Sequence, residues 1–201
     1  MKLSDVRTLI NSVCKEVVLS YPLTDTELNL LIYDKMQTIA KLLNDNGYEF
    51  YKENITFEQS YSGFGLVDKV PYSAEIFIYK LITAYMKDSS DNLYSISIQT
   101  VEGVHQDTLN QTENGSIAFS NAAFYVHPPS AVTGDYSLYC TIYNYPQMPA
   151  DDDAIVNVPP QYLNFLTALC KHDIYAKNNF SVPKTVTDAI KENEYNIINK
   201  A

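Results

Sequence analysis

The sequence predicts an α+β fold: an antiparallel helical bundle, built from two N-terminal and two C-terminal helices, with an inserted antiparallel β domain. Three observations predict it. Apolar residues recur at helical spacing near both ends of the chain. The middle is a series of short runs rich in Ile, Tyr, Phe, Val and Thr, and turn-forming clusters separate those runs. The expected divisions are 1–47 for an N-terminal helical hairpin, 48–158 for the β domain and 159–201 for the helices that complete the bundle.

The first helix is expected over 4–19, where Val6, Leu9, Ile10, Val13, Cys14, Val17 and Val18 fall on one stripe. Ser4 stands where an N-cap belongs, and Tyr21-Pro22 ends the run. Thr24-Asp25-Thr26-Glu27 has the spacing of a capping box. The helix it opens carries Leu28, Leu31, Ile32, Ile39, Leu42 and Leu43 on its apolar side, and Asn46-Gly47 stops it. Two helices joined by so short a loop pack antiparallel.

From Tyr48 to Val158 the runs ITFEQSY, LYSISIQTV, SIAFSNAAFYVH and YSLYCTIYNY read as strands, five or six in all. The segment 73–86, SAEIFIYKLITAYM, fits either helix or strand by periodicity. Its β-branched and aromatic content favours strand. The polar stretch Gln106–Gly115 reads as a loop. After Pro159-Pro160 helical spacing returns with Tyr162, Phe165, Leu166, Leu169 and Cys170. A last helix after Pro183 carries Val186, Ala189, Ile190, Ile197 and Ile198.

At 201 residues the chain can bury a sizeable core. No apolar run reaches the roughly 20 residues of a membrane span, so no membrane partner is expected. The charged residues Asp5, Arg7, Lys15 and Glu16 leave no secretory leader pattern at the start. Cys14, Cys140 and Cys170 are odd in number and sit among apolar residues, which predicts buried free thiols and synthesis in a reducing cytoplasm. Net charge is −10, from 24 acidic and 14 basic residues, and the lysines are scattered. A surface that grips nucleic acid needs clustered cations, so specific DNA binding is not expected. The chain has 17 Tyr, 8 Phe and no Trp. Tyr enrichment fits either protein interfaces or a Tyr-tolerant β domain from an AT-rich genome.

Catalytic chemistry finds no foothold. No phosphate-binding loop, dinucleotide fingerprint, nucleophile elbow, HExxH or CxxC occurs. Gly63-Phe64-Gly65 lies in a turn with no helix after it. Cys170 and His172, two apart on a helix, project in different directions. Asp151-Asp152-Asp153 suits a hard cation in residue type only, since adjacent aspartates diverge and no glycine-spaced loop adds ligands. That turn, like Asp88 and Asp91, is expected to be solvated. No enzyme activity, cofactor or metal is expected.

The run from IAFSNAAFYVHPP through YNYPQMPADDDAIVNVPPQYLNFLTALCKHDIYAK resembles the layout of head-to-tail adaptor (tail-tubular or neck-ring) proteins of tailed bacteriophages. A strand ends in proline at FYVHPP. The next ends in a Tyr–Pro pattern at Tyr143 or Tyr145 with Pro146 and Pro149. An acidic segment then leads through Val158-Pro159 into a helix that opens near Tyr162. The N-terminal pair of helices fits the same order. The resemblance implies a structural virion protein in the neck, made in the host bacterial cytoplasm. It implies a homo-oligomeric ring, typically a dodecamer, with the portal protein above, tail proteins below and DNA passing through the lumen without specific binding. It also places Tyr143, Tyr145, Pro146, Pro159 and Tyr162 at interfaces, with the prolines at a strand-to-helix junction. A related tail or baseplate component, and a carbohydrate- or small-molecule-binding β module with helical flanks, are the alternatives.

Overall fold

The computed structural model describes residues 1–15, 22–61, 63, 66–71 and 77–199. The fold is α+β, and the chain divides into two compact units, 1–51 with 145–201, and 52–144.

In the first unit α1 spans Leu3–Val13 and α2 spans Asp25–Asp45. Helix α1 begins one residue earlier than expected and Ser4 does not cap it. Its first amides are satisfied from elsewhere in the chain, Leu3 N–H donating to Ala154 O at 3.0 Å and Ser4 N–H to Asp152 O at 3.1 Å. The expected continuation of this helix through Val17 and Val18, and its stop at Tyr21, lie outside the described residues. The capping box of α2 is formed: Glu27 N–H donates to Thr24 Oγ1, and Thr24 N–H donates to Glu27 Oε2 at 2.8 Å. That bonding holds the Glu27 carboxyl below its ordinary range. Gly47, at φ +76°, ends the helix in the left-handed region, where an L side chain is disfavoured.

After residue 145 the chain re-enters this unit. A 3-10 turn over Pro160–Tyr162 leads into α4 (Leu163–Lys177), and α5 spans Lys184–Ile198; α3 (Val101–Asn110) belongs to the other unit. Leu3, Val6 and Ile10 of α1 share one core with Leu28, Ile32, Met36, Ile39 and Leu43 of α2. Phe165, Leu166, Cys170 and Ile174 of α4 and Ile197 of α5 complete it. Each large aliphatic side chain sealed there stabilises the fold by about 1.5–3 kcal/mol. Ile198, expected on the buried stripe, is exposed instead. Helix α5 meets the core along Ile190 and Ile197, and its Val186 is also buried.

The second unit holds two four-stranded sheets. Its strands are β1 (Lys52–Gln59), β2 (Asp68–Pro71), β3 (Phe77–Asp88), β4 (Leu93–Ser95), β5 (Ser97–Ile98), β6 (Ser116–Ser120), β7 (Ala123–His127) and β8 (Tyr136–Tyr145). One sheet has the order β1-β8-β3-β4 and the other β2-β7-β6-β5. Leu81, Met86, Leu138 and Ile142 from the first share a core with Val70, Ile117, Phe124 and Val126 from the second. Strand β8 alternates as a half-buried strand should, with Tyr136, Leu138, Cys140 and Ile142 facing that core.

The segment 73–86 is a strand, as its composition favours, where it is described, from Phe77; its first residues lie outside the described ones. Three expectations need correction. The sheets are not wholly antiparallel, because β5 pairs β6 in parallel through Ser97↔Ser116 and Ile98↔Ile117. Residues Val101–Asn110 form a helix, α3, overlapping the stretch Gln106–Gly115 whose polarity predicts a loop. It buries only Val104 and Thr108, so its helical period rests on two side chains among polar ones. Thr100 Oγ1 caps it by accepting from Gly103 N–H at 3.1 Å. Finally, the strand before Pro159 is absent: β8 ends at Tyr145, and Pro159 precedes the 3-10 turn.

The β6–β7 hairpin turns on Asn121 and Ala122, at φ +49° and +56°. A two-residue turn with both φ positive matches the twist of the strands, yet only Asn tolerates it well here. Replacing Ala122 with Gly is expected to raise the unfolding free energy of this unit by about 0.5–1 kcal/mol. The denaturant midpoint of the β unit reads it, and a lower midpoint would refute the strain at Ala122.

Candidate interface

The nucleophiles are sealed. Cys14, Cys140 and Cys170 are free and buried, and burial pushes their thiols up to about 11, 12 and 12 respectively. A thiol so raised is not a thiolate at neutral pH. His127 is buried in the second unit. Its Nε2 faces Thr112 O at 3.0 Å, which requires a proton there, and its Nδ1 lies 3.2 Å from Thr108 Oγ1. This imidazole fastens α3 and the turn after it to β7. His172 Nδ1 lies 3.4 Å from the Asp173 carboxylate beside it. Among the described residues no group of three or more His, Cys, Asp or Glu is placed to hold a metal ion.

The Asp151–Asp153 turn is exposed, but it is not idle. Asp153 pairs with Lys2 Nζ at 2.8 Å, and Asp152 with Arg7 Nη2 at 2.7 Å. Arg7, with a side chain only 10% exposed, also reaches Asp25 at 3.3 Å. Val156 N–H donates to Met1 O at 3.0 Å, and Lys2 forms a bridge with Ile155. The turn is therefore a clasp on the start of α1. Between α2 and α4, Lys35 Nζ lies 2.8 Å from Asp34 and 2.7 Å from Asp173. Burial works to raise the Asp173 carboxyl, but the bond and charge of Lys35 outweigh it and hold that group below its usual range.

The five residues expected at interfaces fall in both units. Tyr143 lies in β8 opposite Lys52 and is buried. Pro146 and Pro159 are buried in the helical unit. Tyr145 and Tyr162 are half-buried against its core, with Tyr162 edge-on to Tyr48 at 6.5 Å between ring centroids. Burial, then the bond to Tyr48, raises the Tyr162 hydroxyl. These side chains mainly complete the chain's own packing.

The aromatic surface lies elsewhere. On the outer face of the first sheet Tyr85 and Tyr139 stack at 4.9 Å with an interplanar angle of 4°. Thr56 is the register partner of Tyr139. Ser137 Oγ donates to Glu58 at 2.9 Å, and Thr141 Oγ1 donates to Asn54 Oδ1 at 2.8 Å. Leu93 is 66% exposed at the far edge. Period-two alternation in β8 marks which of its residues face outward, but partner strands cannot be read from a single run. The helical unit has an open groove of about 370 Å³ floored by Leu23, Leu30, Leu31 and Ile174 and rimmed by Glu27 and Lys177. The β unit has a polar cleft of about 370 Å³ between Ser97, Gln99, Asp107 and Asn114. Neither brings a nucleophile to a base. No protein-family model matches the chain, and no curated protein matches it.

Proposed function

We propose that the protein is a structural, non-enzymatic virion component: a head-to-tail adaptor that joins the portal to the tail as part of a neck ring. In this reading the helical unit is an antiparallel bundle and the strands from 52 to 144 are a domain inserted into it. The observation that carries the proposal is the order of elements: a helical pair, a β excursion, then a second helical pair whose side chains enter the same core as the first. That order is the one expected from the resemblance to neck proteins.

Charge and surface chemistry support it. A net charge of −10 lets DNA pass along a lumen without sticking. A ring requires two different faces on each subunit. Exposed Tyr85, Leu93, Tyr195 and Ile198 offer apolar and aromatic area for such contacts. No helix among the described residues is long and apolar enough to cross a membrane.

The test is mass photometry of the protein alone and with the portal protein encoded in the same genome. Portal-dependent assembly into species of one defined mass is expected. Protein that stays monomeric beside portal rings and is retained on a glycan column overturns the proposal. That outcome would favour a carbohydrate-binding module built around the Tyr85–Tyr139 stack.

A further inference from the structure

Strand β1 is the outer member of its sheet. It pairs β8 without a register break from Lys52 to Gln59 and contains neither proline nor glycine. Among the described residues no strand pairs with its other side. Long straight edges of this kind invite a further strand, and natural proteins usually shorten, bulge or break them.

The sequence of β1 is complementary to itself. Its outward row is Lys52, Asn54, Thr56 and Glu58, the register partners of Tyr143, Thr141, Tyr139 and Ser137. Read against a second copy running the opposite way, with Ile55 on the twofold axis, Lys52 faces Glu58 and Asn54 faces Thr56. Both pairings occur twice by symmetry. Opposite charges and hydrogen-bonding side chains placed directly across an antiparallel pair are the favourable cases. Asn54 keeps its amide N–H₂ as a donor for Thr56, because Thr141 occupies its oxygen. On the other row Ile55 meets its own counterpart, and Phe57 faces Glu53, whose carboxylate Asn144 already holds. Sliding the register by two residues in either direction sets Lys52 against Thr56, or Glu58 against Asn54, and loses both ion pairs.

We infer that two copies of this chain pair through β1 in an antiparallel, twofold manner and join their first sheets into one continuous sheet. A twofold contact of this sort is closed and does not propagate. The inference does not rest on the neck-ring reading: dimer and ring are separate states of the chain, and entry to a directional ring requires the β1 pair to open.

Sedimentation equilibrium across a concentration series tests it with Lys52→Glu, Glu58→Lys and the double variant. Circular dichroism checks that each is folded. Wild type is expected to be in monomer–dimer equilibrium, and each single reversal to raise the dimer dissociation constant about tenfold or more, since two attractions become two repulsions. The double swap restores wild-type association. Residues 52 and 58 lie about 20 Å apart on one strand, so rescue reports contact between chains. Wild type that stays monomeric at every concentration, or a dimer indifferent to both reversals, overturns the inference. Either result leaves portal-dependent assembly unaffected, and failure to engage the portal leaves the dimer unaffected.

Discussion

Replacing Tyr136 with Phe is expected to lower the unfolding free energy of the β unit by about 2 kcal/mol and to flatten its alkaline stability profile. The Tyr136 hydroxyl donates to Asp68 Oδ2 at 2.7 Å, and the two residues are 2% and 1% exposed. Removing one hydroxyl deprives a buried carboxylate of a short charge-assisted bond. Burial first, then the bond to Asp68 and its charge, push the phenol far above the ordinary tyrosine range. A group whose folded pKa is raised contributes stability that is fully present below its unfolded value. That contribution fades as the pH climbs past about 10, because the unfolded phenol releases its proton while the folded one resists. Urea melts of wild type and variant at neutral and alkaline pH measure the difference. A gap between them that stays constant above pH 10 would show that the hydroxyl does not face the carboxylate as drawn.

Gly115→Ala should be comparably severe for a steric reason. A Cβ there would lie 2.6 Å from Ile96 Cγ2 and 2.7 and 2.8 Å from Pro129 Cδ and Cγ. Proline cannot swing aside, and Gly115 O accepts from Ser97 N–H at 2.9 Å, so the backbone is held from the other side as well. Forced overpacking of this kind costs about 2–3 kcal/mol. Denaturant unfolding of the purified variant reads it. A loss below about 0.5 kcal/mol would mean that β5, β6 and the Pro128-Pro129 segment separate readily.

The parts of the fold that are local in sequence were the legible ones. The Thr24–Glu27 box and Gly47 bracket α2, and the stripe from Leu28 to Leu43 lies where its spacing predicts. Element type in β1, β6, β7 and β8 follows from β-branched and aromatic runs. The rest was set by partners distant in the chain. The short strand β2 exists because Asp68–Pro71 lies against β7. The parallel β5–β6 pair has no turn signature to announce it. The Asp151–Asp153 clasp depends on Lys2 and Arg7 at the opposite end of the sequence. Pro159 and Pro160 open a 3-10 turn with no strand directly before it, so proline alone does not mark a strand-to-helix junction here. For the candidate interface, tyrosine abundance was visible in the sequence. Which tyrosines are spent on the interior was not, because that depends on which strand covers which.

The helical unit is assembled from residues 1–51 and 145–201, with all of 52–144 between them. During synthesis the β unit leaves the ribosome complete while α1 and α2 still lack α4, α5 and the Asp151–Asp153 clasp. The first two helices must wait with Leu28, Ile32, Ile39 and Leu43 uncovered, and the late closure spans a long loop. If the β unit folds during that wait, it brings residues 52 and 144 together as β1 pairs with the end of β8 and shortens the search. The order of birth therefore makes the β unit a splint for the helices, and lesions such as Gly115→Ala should appear in cells as aggregation of the exposed helical pair.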